Sequence, residues 1–502
     1  SLTIDGDLDD DGTPDLTISG RQNSRIFLID DGDDTHQVDV TLDGLVLTDA
    51  RVDREPTGGA VLAHENLAVR NTVIRHSWAV MGGGAIAAED GITTLHGVEV
   101  VDNHVGRGYA SYGALYFSGT EAEVVDSLIR GNTGCWTQGA GISADTDLTV
   151  RDSIIKNNQV IFGDKLYLDV ALSYGSAGAG IWFGSETSDL TIEGSTLEGN
   201  LLPAGGGGSI DVDSADTVTI RDTRISGGHA TGWGGGIAVG APAQDSTAVS
   251  QFTLENSTIR GNTVTCAQDI LYGGGDHGRL RGAGIYLNVG SADIDSSTIN
   301  GNMIHEHTGV AQFTATQRYW DILLRGNGGQ ASGIGGSADT LTLRNSTVTG
   351  NTTTAGLGAL HRTDTGGYSP RAVQTPTPVG VRVTSDNADI QNCTITENAG
   401  GGVIVEGGTY NIDSSIISGN IQSGIGEGNL PSGWPEWVER TAVDLIQTGG
   451  TLNVSNSLIE TTTGGHGVSD GTNGNIVGFD PKLGPLAENG GTTQTHTLLP
   501  ES

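Results

Sequence analysis

The heptapeptide NSTIRGN, from Asn256 to Asn262, recurs with small changes along most of the chain. After each copy and a loop comes a glycine cluster with a short apolar run, such as GAGIYL from Gly282 to Leu287. A third run of alternating character, such as Leu190-Thr191-Ile192, precedes the next copy. Each unit therefore predicts three short strands and three turns, because period-2 alternation is typical of half-buried strands. The other close copies end at Asn132, Asn158, Asn200, Asn302, Asn351, Asn398 and Asn420.

The spacing of these copies predicts an all-β chain folded as a single-stranded right-handed parallel β-helix. Asn398 and Asn420 are roughly 22 residues apart, which is enough for one rung of such a solenoid. A single rung cannot bury its inward face, so rungs must stack roughly 4.8 Å apart, and about twelve copies give a length of about 55 Å. We expect the asparagine that ends each copy to bond to the next rung and to adopt the left-handed backbone of a corner. The glycine cluster then forms another sharp corner.

Composition agrees with a solenoid. Of 502 residues, 81 are glycine and only 35% are hydrophobic, which suits a narrow column of small aliphatic side chains. We expect one elongated domain over residues 1–477, with atypical capping rungs at 1–77 and regular rungs at 78–463. A Gly/Pro-rich tail then covers residues 478–502.

The formal charge of −36 indicates a surface that repels nucleic acid and anionic membranes. It suits an extracellular protein that works in salt or in the presence of Ca²⁺. No apolar run approaches the length of a transmembrane helix. The chain starts within a strand-like segment, so we expect that a leader peptide has been removed or left out.

The three cysteines predict no disulfide framework. Cys135 and Cys266 follow corners about four rungs apart, hence about 19 Å, and a disulfide needs Cα atoms within about 7 Å. Cys393 lies in an alternating segment and is interpreted as a small core residue.

Near the start, the pattern DxDxDGxxD predicts a Ca²⁺ site, because alternating carboxylates on a tight loop converge their oxygens. The loop resembles the Asp-rich calcium loops of thrombospondin type 3 repeats and dockerins, although it lacks the terminal glutamate of an EF-hand. The alternative is an acidic, solvated turn at the end of the stack. A second acidic cluster, residues 30–34, is interpreted as a loop. The predicted ligands are Asp7, Asp9, Asp11 and Asp15.

Four long insertions follow the asparagine corner, at Gln159 to Ala177, Thr263 to Arg281, Met303 to Gln330 and Thr352 to Pro378. Because they leave the same corner of successive rungs, stacking predicts that they lie side by side along one edge and form a binding face. Arginine forks would pair with carboxylates or sulfates of an extended glycan, and aromatic rings would stack on its sugars. The predicted ligand-binding residues are Tyr167, Arg279, Arg281, Arg318, Trp320, Arg325, Arg362, Tyr368 and Arg371.

The same edge allows an enzyme hypothesis, since right-handed β-helices include polysaccharide lyases, epimerases and hydrolases. β-Elimination needs a cation beside the uronate and a basic group near C5. The alternative for each candidate is a loop residue that packs against its own loop or a neighbouring subunit. The paired-carboxylate signature of β-helical polygalacturonases is not found, and His305-Glu306-His307 is a weak metal fragment. The catalytic candidates are Lys165, Tyr272, His277, His307 and Tyr319.

The final run, DPKLGPLAENGGTTQTHTLLPES, resembles the start of the choice-of-anchor tail that follows β-helical repeats in secreted bacterial proteins. The repeated GGGI and GN runs resemble those of the polymorphic outer-membrane protein class. These resemblances imply a bacterial protein that is secreted or displayed on the cell surface, often within a longer precursor. The repeat motifs specify a fold rather than an activity.

Two functions from different classes follow. The first is an extracellular structural or adhesive protein with a calcium-stabilised N-terminal region, which associates with itself, with other surface proteins or with a glycan, and whose open strand edges allow filaments or sheets. The second is a polysaccharide lyase or related enzyme that binds an anionic glycan along the loop-lined edge.

Overall fold

The computed structural model describes the chain except residues 10, 34–35, 54–56, 107–110, 136, 162–177, 204, 241–248, 266–281, 306–330, 355–360, 363–367, 370–379, 421–443, 464–466 and 501. The chain divides into two compact units. The first unit contains residues 1–230 and 236–257, and the second unit contains residues 231–235 and 258–502. Each unit is a parallel β-helix, in which successive rungs pair in register. Among the described residues there is no helix with the length and hydrophobicity needed to span a bilayer.

A rung contains four strands, which we name a to d in chain order from the glycine corner. Strands a and b form face A, strand c forms face B and strand d forms face C. In the rung around Leu148, for example, they are Ile142–Ala144, Asp147–Arg151, Ile154–Lys156 and Gln159–Ile161. The three-strand prediction was therefore wrong by one strand, since the short d strand directly follows the asparagine.

The first unit contains the following strands. The a strands are Phe27–Ile29, Val61–Ala63, Ile86–Ala88, Leu115–Phe117, Ile142–Ala144, Ile181–Gly184 and Ile237–Val239. The b strands are Leu2–Asp5, Asp39–Asp43, Asn66–Arg70, Ile92–His96, Glu121–Val125, Asp147–Arg151, Leu190–Glu193 and Val249–Glu255, and Ile210–Arg221 joins a and b. The c strands are Leu16–Ser19, Leu45–Thr48, Val73–Arg75, Glu99–Val101, Leu128–Arg130, Ile154–Lys156, Thr196–Glu198 and Arg224–Ser226. The d strands are Arg51–Val52, Trp78–Ala79, His104–Val105, Thr133–Cys135, Gln159–Ile161 and His229–Ala230, and Ser111–Tyr112 pairs with Thr137–Gln138.

The second unit repeats this plan with longer first strands. Strands a and b are continuous in Ile285–Asp295, Ile334–Arg344 and Val381–Gln391, and separate in Val403–Val405 with Thr409–Asp413, then Leu445–Gln447 with Thr451–Ser455, followed by Thr462–Thr463. The c strands are Thr258–Arg260, Thr298–Asn300, Thr347–Thr349, Thr394–Thr396, Ile416–Ser418, Leu458–Ile459 and Ile476–Val477. The d strands are Thr263–Thr265, Met303–His305 and Thr352–Thr354; a 3₁₀ turn spans Thr472–Gly474, and His361–Arg362 pairs with Tyr368–Ser369.

The core of each unit is a set of stacked aliphatic columns. In the first unit Leu148 pairs with Leu190 and Val150 with Ile192, and all four are at most 1% exposed. The alternate residues of the same strands point outward, as the sequence alternation predicted. Burial of one rung's apolar face therefore depends on the rungs above and below it.

An asparagine ladder runs through the interior at the corner between strands c and d. Asn132 donates from its backbone N–H (3.1 Å) and its Nδ2 (3.0 Å) to Asn158 Oδ1 in the next rung. Its Nδ2 also donates to the carbonyl of Val100 in the preceding rung at 2.9 Å. This confirms the predicted stacking and bonding of the motif asparagines. The ladder comprises Asn103, Asn132, Asn158 and Asn200 in the first unit and Asn262, Asn302, Asn351, Asn398 and Asn420 in the second.

The left-handed residue at this corner is the one before the ladder asparagine, so the prediction that the asparagine itself is left-handed was wrong. Gly131 and Asn157 have φ values of 66° and 54°. The ladder asparagines Asn132 and Asn158 are not left-handed, and their side chains are fully buried. At the glycine corner the prediction holds: Gly139 has φ of 69°, and a Cβ there would lie 2.0 Å from the Ile142 carbonyl oxygen.

A second interior ladder of hydroxyl groups follows the corner between strands b and c. Ser127, Ser153 and Ser195 each offer Oγ to the backbone N–H of the rung before them, at 3.1 Å. In the second unit Cys393 takes this position; it is 2% exposed, and its Sγ donates to the carbonyls of Gln391 and Leu343. Its interpretation as a small buried residue is confirmed. Cys135 is buried and unpaired, whereas Cys266 lies outside the described residues.

The last part of the second unit is an antiparallel hairpin of Leu483–Ala487 and Thr495–Leu498 that packs back onto earlier rungs. Thr298 Oγ1 donates to the Gln494 carbonyl at 2.7 Å, and Thr493 Oγ1 donates to the Ser296 carbonyl at 3.1 Å. His496 Nε2 lies 3.1 Å from Thr349 Oγ1. The segment predicted as a Gly/Pro-rich tail therefore contains a strand pair that is bonded to its own β-helix.

Candidate functional site

The Asp-rich loop replaces a tight corner in the first rung. It connects strands Leu2–Asp5 and Leu16–Ser19, which pair with Asp39–Asp43 and Leu45–Thr48 of the next rung. In that next rung the same connection is the single residue Gly44, with φ of 60°. A Cβ on Gly44 would lie 2.5 Å from the backbone nitrogen of Asp7, so the loop sits directly over this glycine.

Three of the four predicted calcium ligands converge. Carboxylate oxygens of Asp7, Asp9 and Asp15 all lie within 4.8 Å of one another. Opposite ligands of a bound Ca²⁺ are about 4.6–5.2 Å apart, because each Ca–O distance is about 2.3–2.6 Å. The spacing therefore fits that ion. The fourth predicted ligand, Asp11, instead accepts hydrogen bonds from the backbone N–H and hydroxyl of Thr13.

Backbone donors shape this loop, and like charges oppose it. Asp7 accepts from the N–H groups of Asp11 (3.1 Å) and Gly12 (2.8 Å), and Asp15 accepts from Leu8 (2.8 Å). The negative charge of Asp11, with smaller contributions from slight desolvation, Asp15 and Asp7, raises the pKa of Asp9. The bonds from Thr13 lower the pKa of Asp11. A bound cation would relieve this repulsion.

The predicted loop-lined edge is only partly described. In the second unit the d strands pair in register from Thr265 to His305 to Thr354, so three of the insertions start from stacked positions. The insertions begin after the d strand rather than at the asparagine, which corrects their predicted starts. Arg362 and Tyr368 are register partners in a short antiparallel pair. The other predicted edge residues lie outside the described residues: Lys165, Tyr167, Tyr272, His277, Arg279, Arg281, His307, Arg318, Tyr319, Trp320, Arg325 and Arg371.

A second site lies on the outer side of face A in the first unit. Tyr112 stacks on Tyr116 with ring centroids 4.0 Å apart and an angle of 10°, and Tyr112 lies 6.1 Å from the ring of Trp182. The rungs place them together: Tyr116 pairs with Ser143, which pairs with Trp182, which pairs with Asp211. We call this set the outer-face cluster; it comprises Tyr112, Tyr116, Asp145, Trp182, Asp211 and Asp213.

Two of the aromatic side chains of this cluster donate a hydrogen bond to a carboxyl group. The Tyr116 hydroxyl donates to Asp145 Oδ2 at 3.4 Å, and Trp182 Nε1–H donates to Asp213 Oδ2 at 3.0 Å. Asp211 is 4% exposed, and among the described residues its carboxyl group has no hydrogen-bond or ion-pair partner. Burial raises the pKa of Asp145, and the bond from Tyr116 offsets part of that rise.

The two remaining carboxyl groups are unlike each other. Burial, together with the charge of Asp213, raises the pKa of Asp211 well above that of an ordinary carboxyl group. Burial also raises the pKa of Asp213, but the Trp182 N–H stabilises its ionised form. Burial also raises the pKa values of Tyr112 and Tyr116, so both hydroxyl groups remain protonated donors.

A β-bulge and a glycine position these groups. Val212 pairs with Phe183 and Ser214 with Gly184, so Asp213 is one extra residue in its strand. Bulges of this kind redirect a side chain and are frequent beside active sites. A Cβ on Gly184 would lie 2.4 Å from the Trp182 ring, so glycine is needed for the indole to lie over this strand and reach Asp213.

Sequence reasoning missed this cluster, although a signal was present. The run after the glycine cluster is ISA, IWF or IAV in other rungs but IDVD from Ile210 to Asp213. In this run two aspartates alternate with core residues. Other rungs carry small or apolar side chains at these positions, so the aspartates mark an unusual outer face. The partners of these aspartates come from other rungs, which the local pattern did not reveal.

Comparison with protein-family models, with curated proteins and with solved structures found no match to this chain.

Proposed function

We propose that this chain is an extracellular or cell-surface structural and adhesive protein whose first unit binds carbohydrate at the outer-face cluster. The observation that supports this proposal is the grouping of the half-buried rings of Tyr112 and Tyr116 with the buried ring of Trp182, next to carboxyl groups. Aromatic faces suit the apolar side of a sugar ring, and adjacent polar groups fix its hydroxyls. The register of the β-helix strands aligns Tyr116, Trp182 and Asp211 on successive rungs, with Ser143 between Tyr116 and Trp182.

The charge of the cluster favours a neutral or cationic glycan. Asp211 and Asp213 lie two residues apart on one strand and Asp145 accepts from Tyr116 in the same cluster, and among the described residues no basic side chain forms an ion pair with any of them. A uronate or a sulfate placed there would meet like charge in a partly desolvated site, which is unfavourable. The hypothesis of an anionic glycan and a lyase at the loop-lined edge depends on other residues and stays a prediction.

Calcium at the Asp-rich loop belongs to the same proposal as a structural ion. Asp7, Asp9 and Asp15 supply oxygen ligands with suitable spacing, and the backbone bonds to Asp7 and Asp15 hold the loop in that form. The ion would stabilise the first rung, which carries this loop.

A binding assay with matched variants tests the glycan proposal. Titration calorimetry with neutral oligosaccharides and with chitosan oligomers should detect binding to the intact chain. Tyr116→Ala should weaken that binding about tenfold, since an aromatic contact contributes up to about 1.5 kcal/mol. Trp78→Ala is the control, because Trp78 is a partly exposed ring on face C that stacks under Arg51 at 4.7 Å. Absence of binding across both panels, or an equal loss in both variants, contradicts the proposal.

A further inference from the structure

We infer that Asp211 and Asp213 are the acid and the base of a glycosidic-bond hydrolysis at the outer-face cluster, on a neutral or amino-sugar glycan. This inference rests on the proposed carbohydrate binding and adds a reaction to it. The pair differs from the lyase candidates of the loop-lined edge in residues, in charge and in chemistry.

The position of the pair is the first argument. Asp211 is the register partner of Trp182, and Asp213 accepts the Trp182 N–H, so both carboxyl groups lie on the outer side of face A beside one indole ring. The residues that flank and alternate with them, Ile210 and Val212, are fully buried in the β-helix core. Two carboxyl groups on one strand, beside aromatic rings, supply the pair of acidic residues that glycoside hydrolysis uses.

The unequal environments are the second argument. Asp211 is buried and has no partner among the described residues, whereas Asp213 is more exposed and accepts a hydrogen bond that favours its ionised form. A buried carboxyl group without a partner takes up a proton rather than remain charged. Two carboxyl groups whose environments separate their pKa values divide into a proton donor and a proton acceptor.

The contrast with another buried aspartate is the third argument. Asp444 is fully buried in the second unit, yet both its oxygens are used: Oδ1 accepts two bonds from Asn420, and Oδ2 accepts two from Thr461. Asp444 is thus accounted for by structure alone. Asp211 destabilises the fold where it lies, and a polar side chain of that kind points to a ligand.

The reaction consumes one water molecule. Asp211 donates its proton to the glycosidic oxygen while the bond between C1 and that oxygen breaks. A water molecule adds to C1, and its proton passes to Asp213. Transfer of that proton to solvent and reprotonation of Asp211 complete the cycle. Tyr112 and Tyr116 would orient the sugar through their ring faces and their hydroxyl groups.

The test uses the full-length protein with neutral glucan, mannan, galactan and chitosan oligosaccharides labelled at the reducing end. We expect release of shorter labelled products, with a rate that rises and then falls with pH as the pair reaches its singly protonated form. Asp211→Asn and Asp213→Asn should each lower the rate by about a hundredfold or more, because a positioned acid or base contributes about 10²–10⁴. Asp216→Asn, an exposed change on the same strand, should leave the rate unchanged.

Binding measured in parallel separates the two proposals. Oligosaccharides that bind but are not cleaved overturn the catalytic inference and leave the binding proposal standing. Oligosaccharides that do not bind overturn both. Cleavage that survives in Asp211→Asn and Asp213→Asn overturns the assignment of these residues. Circular dichroism of each variant shows whether it is folded, and the pH–rate profile of the unchanged chain tests the pair even if a variant fails to fold.

Discussion

The interior ladders and the outer-face cluster both bury polar side chains, but they differ in how those side chains are paired. Asn398 is fully buried; its Nδ2 donates to Asn420 Oδ1 and to the Val348 carbonyl, and its Oδ1 accepts two bonds from Asn351. Asp211 is almost as buried and has no partner among the described residues. The ladder asparagines therefore hold the fold, whereas Asp211 weakens it.

This difference gives a rule for reading a repeat protein whose motifs specify only a fold. A buried polar side chain that every rung repeats and every neighbour bonds is structural. A buried polar side chain that occurs in one rung and is left unpaired is a candidate for binding or catalysis. Three predictions test whether the two regions differ in this way.

The largest expected effect concerns the ladder. Asn398→Ala should lower the free energy of unfolding by about 3–5 kcal/mol, because it removes the buried bonds that Asn351 and the Val348 carbonyl make with this side chain and one of the two bonds to Asn420 Oδ1. Urea denaturation followed by circular dichroism measures the change.

The control for the ladder is an asparagine of the same unit that bonds on the surface. Asn411 donates to Asp389 at 2.7 Å and accepts from Asn453 at 2.9 Å, yet it is exposed. Asn411→Ala should cost about 0.5 kcal/mol or less. An equal loss of unfolding free energy in Asn398→Ala and Asn411→Ala would mean that burial does not determine how much a ladder asparagine stabilises the fold.

A smaller effect is expected from the pH dependence of stability at Asp211. Burial raises its pKa in the folded state, with Asp213 as the nearest charge and Asp145 and the protonated Tyr116 in the same cluster. The folded chain therefore keeps a proton that the unfolded chain gives up near pH 3.8. The contribution of Asp211 to stability is fully present below that pH and is lost as pH rises through the raised pKa. Each tenfold difference in proton affinity between the folded and unfolded chain corresponds to about 1.4 kcal/mol.

Asp211→Asn removes that titration, so the variant should lose less stability than the unchanged chain as the pH rises above about 4. Melting temperatures across this range measure the difference. Asp216→Asn, on the same strand but exposed, provides the reference curve. Parallel curves for the unchanged chain and Asp211→Asn would show that Asp211 is paired and ionised, and the contrast with the ladder would fail.

The smallest effect is expected at the Asp-rich loop, where carboxyl groups are crowded but exposed. Ca²⁺ at ten times its dissociation constant should stabilise the chain by about 1.4 kcal/mol. Asp9→Asn and Asp15→Asn should remove this gain, and Asp11→Asn should reduce it less, because Asp11 is bonded to Thr13. Melting with CaCl₂ and with a chelator measures it, and an unchanged melting temperature would leave the loop as an acidic turn.

The sequence predicted the fold because the signals for it are local. Alternation in strands such as Leu190–Glu193 specifies which residues enter the core, and the motif asparagines mark a corner in nearly every rung. The d strands were missed because they are only two or three residues long, as in Trp78–Ala79 and Thr263–Thr265, and follow the corner without a turn signal of their own. The left-handed residue was misplaced by one position because asparagine and glycine both favour that backbone.

The candidate sites differ in the same respect. Asp7, Asp9 and Asp15 lie within one short loop, so their convergence follows from local spacing. The outer-face cluster draws residues from four rungs, and their meeting depends on strand register and on the bulge at Asp213. No local pattern specifies a bulge that leaves the core alternation intact on both sides.

The hairpin of the second unit changes how that unit can come apart. A solenoid held only by neighbouring rungs behaves like a zipper, in which one end can open while the rest stays closed. Here the bond that Thr298 donates to Gln494 and the bond that Thr493 donates to Ser296 span 196 and 197 positions of the chain. These two bonds tie the hairpin to an early rung of the unit. The rungs between residues 298 and 493 can therefore separate only if these bonds break or if the rungs unfold together. Unit two should therefore lose its structure in one cooperative step, where an array of the same rungs without these bonds would fray one rung at a time.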